Sequence, residues 1–338
     1  MADKGIKVYI TKTASPTPFL SFLVKEYKCQ AGICITASHN PPAYNGFKLY
    51  NSEGRQITPP EDKDFIKNYN NIDLLTLKKP DSYSSPLKKK YIQEIDDDMK
   101  EVFLNRLSKL FIDNTEDNLN IIYTALHGTG ANLVVRLLKK LNFNKLWSVK
   151  EQNIADGNFS SVESPNPEDI SCFAQAKKLG ETKKADVLLA TDPDADRYGI
   201  CIRESNNWQN LTGNETSCLI ADYLLSNLKS KKSLNSKKFI IKTMVTSDLL
   251  SDIAHSHNIS CFETPIGFKW ITDLASKLGS DNFICGCEES LGFLTGDIVA
   301  DKDGLLGCAI FCKLLSKLKT ENKTVFERLD ELYMKHGY

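Results

Sequence analysis

The stretch DVLLATDPDADRYGICIR, residues 186–203, places an acidic loop between two apolar runs. The first run, from Asp186 to Ala190, is apolar after its first residue, which is typical of a strand in a parallel sheet covered on both faces. The second run, from Tyr198 to Arg203, predicts another strand directly after the loop. Because α/β sheets bind ligands at the carboxyl ends of their strands, the stretch predicts an α/β fold with a ligand site in this loop.

The acidic loop carries three carboxylates at alternate positions, Asp192, Asp194 and Asp196, and ends in Arg197. Three unpaired acids this close repel one another, whereas together they form an all-oxygen cage for a hard divalent cation. An EF-hand loop would continue with glycine and a later bidentate glutamate, but here an arginine and an apolar strand follow. A solvated acidic turn is the other alternative, and it fits poorly with acids that emerge directly from an apolar strand. We therefore predict a site for one Mg²⁺ per chain.

A second loop brings a hydroxyl, an imidazole and an amine together: Ser38, His39 and Lys48. It follows a strand-like run at 33–35 and leads into another at 47–50. The Pro-Pro pair after the loop's first residues lacks N–H donors and forces the chain to turn, which predicts that Ser38 lies at a loop tip held by two strands. Reacting residues are often found on such loops. Taken alone, the same residues favour an ordinary polar turn, since loops are rich in Ser, Asn and Pro.

Strands and helices alternate along the rest of the chain. An apolar run at 119–126 leads into the turn HGTG at 127–130 and then an amphipathic helix, which is one α/β step. A lone HGTG lacks the full phosphate-cradling pattern, so we interpret it as a tight turn. The polar stretch 68–100 is interpreted as a solvated helix face or linker. We predict three domains, at 1–100, 101–208 and 209–338.

The composition excludes several classes of partner. Among 338 residues, Lys plus Arg and Asp plus Glu are both 43, so the formal net charge is zero. A neutral chain has no global field that favours nucleic acid or an anionic membrane, and we predict neither as a partner. No stretch is apolar for long enough to span a bilayer. The ten cysteines lack the paired spacing of a zinc site, and free thiols fit a reducing compartment, so we predict a cytoplasmic protein.

Four groups of loop residues occur in order along nearly the whole chain: TASHNP with NGFK, DPDADR, GFKW, and EESLG with KDG. In this order and spacing they resemble the α-D-phosphohexomutase superfamily, and more closely its phosphoglucomutase/phosphomannomutase type. The resemblance implies consecutive related α/β domains, each a mixed sheet flanked by helices. It also implies a reaction that moves a phosphoryl group between the 1-position and the 6-position of a hexose. The EESLG group resembles the family's sugar-recognition loop, here called the sugar loop, and its Glu-Glu-Ser form favours glucose.

The resemblance also implies a phosphorylated serine and a metal ion. By its motif position, Ser38 is expected to carry the phosphate. The metal ligands are expected to be Asp192, Asp194 and Asp196 together with an oxygen on Ser38. The implied partner is a small-molecule sugar phosphate, with glucose 1,6-bisphosphate as activator.

The remaining motif residues have implied roles around that centre. His39 and Arg197 are expected to stabilise the phosphoserine. Lys48 is expected to act as general acid/base for the sugar hydroxyl, which requires a pKa lowered by neighbouring cations or burial; Lys269 is the rival for that role. Substrate binding is expected from two loops of the third domain, at Gly267, Lys269, Glu288 and Ser290.

Two departures from the family pattern shape the expectation about activity. A first segment with an arginine-bearing glycine-rich turn, and a fourth domain that binds the non-reacting phosphate, are both expected to be missing. We therefore expect an incomplete and weakly active form, with a missing domain or partner subunit supplying the phosphate site. The alternatives are a non-catalytic sugar-phosphate-binding or metal-binding remnant, or a phosphomannomutase, phosphopentomutase or hexose-bisphosphate synthase.

Overall fold

Strands and helices alternate along the part of the chain that the computed structural model describes, residues 1–76, 83, 85–111, 118–204 and 207–337. The first elements are β1 (Val8–Thr11), α1 (Thr17–Glu26), β2 (Ala31–Ile35), β3 (Phe47–Asn51), α2 (Glu61–Asn70), α3 (Pro86–Tyr91), β4 (Ile92–Ile95) and α4 (Asp98–Ser108). β1 pairs in parallel with β4, and β2 pairs with β3 in an antiparallel hairpin. The hairpin presents the loop that carries Ser38 between its two strands.

The polar stretch 68–100 is more than the linker or solvated helix face predicted for it. Residues 77–82 and 84 of this stretch lie outside the described residues, but β4 within it pairs with β1 along four residues. That pairing escaped the sequence analysis because β4 is short and carries apolar side chains only at its two ends, so it shows no alternation. The boundary predicted after residue 100 falls inside α4.

The second group of elements forms one five-stranded sheet. Its elements are β5 (Ile121–Thr124), α5 (Ala131–Lys140), β6 (Leu146–Ser148), α6 (Ala174–Lys183), β7 (Val187–Thr191), β8 (Tyr198–Glu204) and β9 (Asn207–Asn210). The strand order is β6-β5-β7-β8-β9, with β5, β6 and β7 parallel and the last two strands antiparallel. All five residues of β7 are buried, as a central strand requires. The boundary predicted after residue 208 falls inside β9, so this sheet continues to Asn210.

The third group forms a four-stranded sheet and the last two helices. Its elements are α7 (Gly213–Ser230), β10 (Phe239–Thr243), α8 (Leu249–Ser256), β11 (Ser260–Thr264), α9 (Phe268–Leu278), β12 (Phe283–Glu288), β13 (Gly292–Thr295), α10 (Gly304–Thr320) and α11 (Val325–His336). The strand order is β11-β10-β12-β13, and only β13 is antiparallel to its neighbour. Both larger sheets are therefore mixed, as expected.

Helix α10 joins the second and third sheets. It packs against β7 and β8 on one side and against β13 and α7 on the other. Because it is covered on all sides, it is apolar nearly all round instead of amphipathic. Its N-terminus lies at the end of β7, which places it beside the acidic loop. None of the helices in the described residues is both long and apolar enough to cross a bilayer.

Candidate active site

The acidic loop is a tight, fully packed turn between β7 and β8. The N–H of Ala195 donates to the carbonyl of Asp192 at 2.9 Å, and Ala195 has a φ of 55°. This turn directs the side chains of Asp192, Asp194 and Asp196 to one point, where one carboxylate oxygen of each lies within 4.8 Å of the others. All three side chains are buried. Burying three carboxylates together is costly unless cations compensate them.

Backbone groups from all three parts of the chain hold the loop. Its carbonyl oxygens accept hydrogen bonds from the N–H groups of Thr17 (2.9 Å, to Asp194), Thr129 (2.7 Å, to Pro193) and Gly304 (3.1 Å, to Ala195). A Cβ on Gly128 would lie 2.3 Å from the Cα of Pro193, so the HGTG turn packs directly against the acidic loop. This supports the interpretation of HGTG as a tight turn, and it explains why glycine is needed there.

Ser38 lies directly against the acidic loop. Its hydroxyl donates to Oδ2 of Asp192 at 2.7 Å and lies 3.2 Å from Nδ1 of His39. Its own N–H donates to the hydroxyl of Thr36 at 2.8 Å. Ser38 has a φ of 52°, a left-handed conformation that costs a residue with a Cβ about 1–2 kcal/mol. The surrounding hydrogen bonds hold this strained backbone, which presents the hydroxyl to the carboxylates.

Two lysines from different parts of the chain compensate the acidic loop. Nζ of Lys48 lies 2.9 Å from Oδ2 of Asp194 and 2.5 Å from Oδ2 of Asp196. Nζ of Lys302 lies 3.3 Å from the same oxygen of Asp196. Burial opposes the charged form of Lys48, but Asp196 and Asp194 outweigh it and raise the pKa of Lys48 well above its ordinary value. That direction is opposite to the one expected for a general base.

The carboxylates keep free oxygens for a cation. Oδ1 of Asp194 and Oδ1 of Asp196 are buried and have no hydrogen-bond partner among the described residues. Burial, together with the neighbouring Asp196 and Asp192, raises the pKa of Asp194 to about 7, so this group is short of positive charge. An all-oxygen set of this kind suits Mg²⁺, and the residues present fit the ion.

Comparison with known proteins identifies the family. Sequence models of the phosphoglucomutase/phosphomannomutase α/β/α domains match this chain in order, domain I over residues 1–76, domain II over 91–205 and domain III over 212–336. The chain belongs to the α-D-phosphohexomutase superfamily. The predicted fold class, consecutive α/β domains with mixed sheets flanked by helices, is confirmed.

Relatives of this phosphohexomutase chain are longer than it is. A protein named phosphoglucomutase from Staphylococcus haemolyticus is 34% identical over 343 residues, an alignment that covers 100% of this chain and 61% of the relative. The Paramecium parafusin (phosphoglucomutase) structure, an open form, has a TM-score of 0.70 at 21% identity, covering 98% of this chain and 62% of that one. The Aspergillus fumigatus N-acetylphosphoglucosamine mutase, solved with GlcNAc-6P and magnesium, has a TM-score of 0.58 at 14% identity, covering 90% and 74%.

Two residues expected to bind the sugar, Glu288 and Ser290, lie beside the acidic loop, where Arg197 forms a β-bridge with Gly292. Glu288, at the end of β12, is 4% exposed, and burial raises its pKa although Lys302 and Arg197 oppose the rise. Gly292 lies so close to Glu288 and Lys302 that a Cβ there would be 2.5 Å from Oε1 of the glutamate. Ser290 is half-buried in the intervening turn. The third domain thus contacts the acidic loop through this packed cluster.

Arg197 contacts the predicted phosphoserine centre mainly through its backbone. Its N–H donates to Oδ1 of Asp192 at 3.0 Å, while its guanidinium lies 3.3 Å from Glu168. Its buried Nε has no partner among the described residues. Among the described residues no hydrogen bond joins the guanidinium to the Ser38 hydroxyl, whereas Nδ1 of His39 lies 3.2 Å from it.

The loop that carries Gly267 and Lys269 is more open. Gly267 has a φ of 115° at the start of α9, a conformation that favours glycine. Lys269 is half-buried, with its ammonium 5.2 Å from the ring centre of Trp270. No hydrogen bond or ion pair in the described residues joins Lys269 to the acidic loop, which is where Lys48 lies.

Sequence reasoning missed several residues of the site. Thr17 and Thr36 donate to Oδ2 of Asp194 at 3.0 and 3.2 Å, and Lys302 lies on Asp196. For Lys302 the sequence did hold a signal, because this residue is part of the quoted KDG motif. Thr36 is the first residue of the quoted TASHNP motif, which was its signal, whereas Thr17 had none because a threonine at a helix start is common.

Proposed function

We propose that this chain interconverts hexose 1-phosphate and hexose 6-phosphate through a phosphorylated Ser38 and a bisphosphate intermediate, with glucose as the sugar. The observation that carries the proposal is the 2.7 Å hydrogen bond from the Ser38 hydroxyl to Asp192. It joins the residue that would carry the phosphate to the carboxylate cluster that would bind the metal. Asp192 lies 154 positions away from Ser38 in sequence, so the contact is made by the fold.

The residues proposed to hold Mg²⁺ are Asp192, Asp194, Asp196 and Ser38 through an oxygen of its phosphate. The free Oδ1 atoms of Asp194 and Asp196 support this set. When bound, the ion would neutralise charge that develops on the transferred phosphoryl group. The magnesium in the Aspergillus fumigatus relative supports the choice of ion.

The chain's own groups suit phosphoryl transfer at Ser38. Asp192 accepts a hydrogen bond from the serine hydroxyl and so orients Oγ, and His39 also lies within hydrogen-bonding distance of Oγ. Lys48 is protonated in the resting site. To accept a proton from the sugar hydroxyl it must first lose its ion pairs with Asp194 and Asp196, so we propose that Lys48 starts the cycle as an acid or as a phosphate-binding cation.

The sugar is proposed to bind between these groups and the third domain. Glu288 and Ser290 can accept and donate hydrogen bonds to sugar hydroxyls, and Lys269 at the start of α9 can bind a phosphate. The S. haemolyticus relative, which is named a phosphoglucomutase, supports glucose over mannose. Because this chain spans about 60% of that relative's length, transfer at Ser38 and full turnover are separate claims.

Incubation of the chain with glucose 1,6-bisphosphate and Mg²⁺, followed by peptide mass spectrometry, tests the proposal. We expect one phosphate on the peptide that contains Ser38, formed faster than with mannose 1,6-bisphosphate. A coupled assay with glucose 1-phosphate then measures turnover. Binding of the bisphosphate without any label on Ser38 would favour a non-catalytic sugar-phosphate-binding protein, and faster labelling by the mannose compound would favour a phosphomannomutase.

A further inference from the structure

A buried hydrogen-bond cluster joins the first and third domains beside the acidic loop. The hydroxyl of Tyr50 donates to Oδ2 of Asp301 at 2.6 Å, and Nε2 of Gln56 donates to the same oxygen at 2.8 Å. Oδ1 of Asp301 accepts from the N–H of Lys302 at 2.8 Å. Tyr50 is 0% exposed and Asp301 is 1% exposed. The carboxylate therefore accepts three hydrogen bonds in a site closed to solvent.

Two members of this cluster, Tyr50 and Asp301, lie within two residues of a lysine that contacts the acidic loop. Tyr50 lies two residues after Lys48 on β3, so both side chains leave the strand on the same face. Asp301 directly precedes Lys302. The two ammonium groups then meet on one atom, Oδ2 of Asp196, at 2.5 and 3.3 Å. A fixed distance between Tyr50 and Asp301 thus fixes how the two lysines approach that oxygen.

The cluster also has an electrostatic effect on both lysines. The negative charge of Asp301 attracts the ammonium groups of Lys48, which is half-buried, and Lys302, which is buried. An apolar pair in place of Tyr50 and Asp301 would fill the same space, but the lysines would lose this negative charge. The hydrogen bond that fixes their positions relative to each other would also be lost. Stability alone does not explain the arrangement, because well-packed apolar residues in place of a buried charge are often as stabilising or more so.

Resting on the proposed function above, we propose that Tyr50 and Asp301 are positioning residues for the metal centre. They hold β3 of the first domain against the loop 300–303 of the third, so that Lys48 and Lys302 orient the Asp196 carboxylate. One oxygen of Asp196 is then occupied by ammonium groups, and its Oδ1 stays directed to the cation site.

The domain interface contains a second contact that supplies a matched control. The guanidinium of Arg55 donates to Oδ1 of Asp273 at 2.8 Å, and Asp273 also pairs with Lys277 at 2.7 Å. This ion pair also joins the first domain, just after β3, to the third domain, at α9, but it touches neither lysine of the metal centre. Asp273→Ala therefore weakens the interface and removes no hydrogen bond of the Tyr50 cluster.

The test is titration calorimetry of Mg²⁺ into the full chain and into Tyr50→Phe and Asp273→Ala, with thermal unfolding to show that all three are folded. Outer-shell partners of metal ligands change metal affinity by about 10- to 100-fold, and we expect about tenfold weaker binding in Tyr50→Phe. Asp273→Ala is expected to lower the unfolding temperature yet bind Mg²⁺ as the unaltered chain does.

The outcomes separate this inference from the proposed function. An unaltered chain that binds no Mg²⁺ would overturn the metal assignment itself. Normal binding in the unaltered chain with equal or tighter binding in Tyr50→Phe would overturn only the positioning role. Equal weakening in both variants would show a general interface effect, which also overturns it. Hydrogen exchange gives a second measurement: Tyr50→Phe should speed exchange at the N–H of Lys302, whereas Asp273→Ala should not.

Discussion

The acidic loop at 191–197 and the loop at 264–270 both follow parallel strands, yet they differ in how completely they are built. The first buries three carboxylates and is bonded to backbone groups from all three parts of the chain. The second exposes 63% of Ile266 and holds Lys269 against an aromatic ring. Like charges that share a buried site need fixed partners before any ligand arrives. A loop proposed to bind substrate needs no such fixed partners, because the substrate itself supplies them.

The two candidate lysines show the same difference. Lys48 is held by two carboxylates of the acidic loop, whereas the ammonium of Lys269 lies over the ring of its neighbour Trp270. We infer that the proposed phosphoryl-transfer centre is preformed in this chain, whereas the loop around Lys269 is not. Four predictions test that inference, beginning with the largest expected effect.

Ser38→Ala should abolish labelling by glucose 1,6-bisphosphate completely, since it removes the hydroxyl that donates to Asp192. Ser290→Ala, in the sugar loop, should slow labelling and still leave the phosphate on Ser38. Peptide mass spectrometry distinguishes these results. Label that persists in Ser38→Ala would show that the preformed centre is not the reacting one.

Asp194→Ala should weaken Mg²⁺ binding by at least about 100-fold, because it removes a ligand and a charge together. Glu181→Gln, at a surface pair with Arg203, serves as a control that should bind normally. Calorimetry gives both affinities, and Ca²⁺ in the same experiment should bind more weakly than Mg²⁺. Unchanged affinity in Asp194→Ala would contradict the assignment of the acidic loop.

Lys48→Met and Lys269→Met compare the two loops directly. A lost general acid costs about 100-fold or more in rate, and a lost charged hydrogen bond to phosphate costs about tenfold or more in affinity. We therefore expect Lys48→Met to slow labelling at saturating bisphosphate, and Lys269→Met to raise the bisphosphate concentration needed for half-saturation. The reverse pattern would exchange the roles of the two lysines.

The smallest effect concerns Asp303, which caps α10 with bonds of 2.8 and 3.1 Å from the N–H groups of Leu305 and Leu306. Burial raises the pKa of Asp303 from 3.8 to about 7. Between pH 4 and 7 the folded state keeps this proton and the unfolded state loses it, so the free energy of unfolding falls as pH rises, by at most about 1.4 kcal/mol per pH unit.

Asp303→Asn keeps the cap but cannot ionise, so its stability should fall less with pH over that range. Urea unfolding of both proteins at several pH values measures the two slopes. Identical slopes would show that Asp303 is already ionised in the folded state. The N-terminus of α10 beside the acidic loop would then stabilise a buried carboxylate more than the burial of Asp303 indicates.

Residues that act within one loop were predictable from the sequence, because their chemistry depends on neighbours in the chain. The spacing of Asp192, Asp194 and Asp196 predicted both the turn and the cluster, and the structure brings their oxygens within 4.8 Å. The superfamily and the fold class were confirmed for the same reason: each motif is continuous and the motifs occur in order. The roles of the individual residues stay predictions.

Only the tertiary structure decided which distant segments of the chain contact each other. Strand β4 was missed because its pairing with β1 spans more than eighty residues, and no local pattern encodes a partner that far away. Lys48 reaches Asp194 across 146 residues, and Tyr50 reaches Asp301 across 251. In each case the hydrogen bond forms because packing of the domains brings the two groups together, and a sequence motif holds no information about that distance.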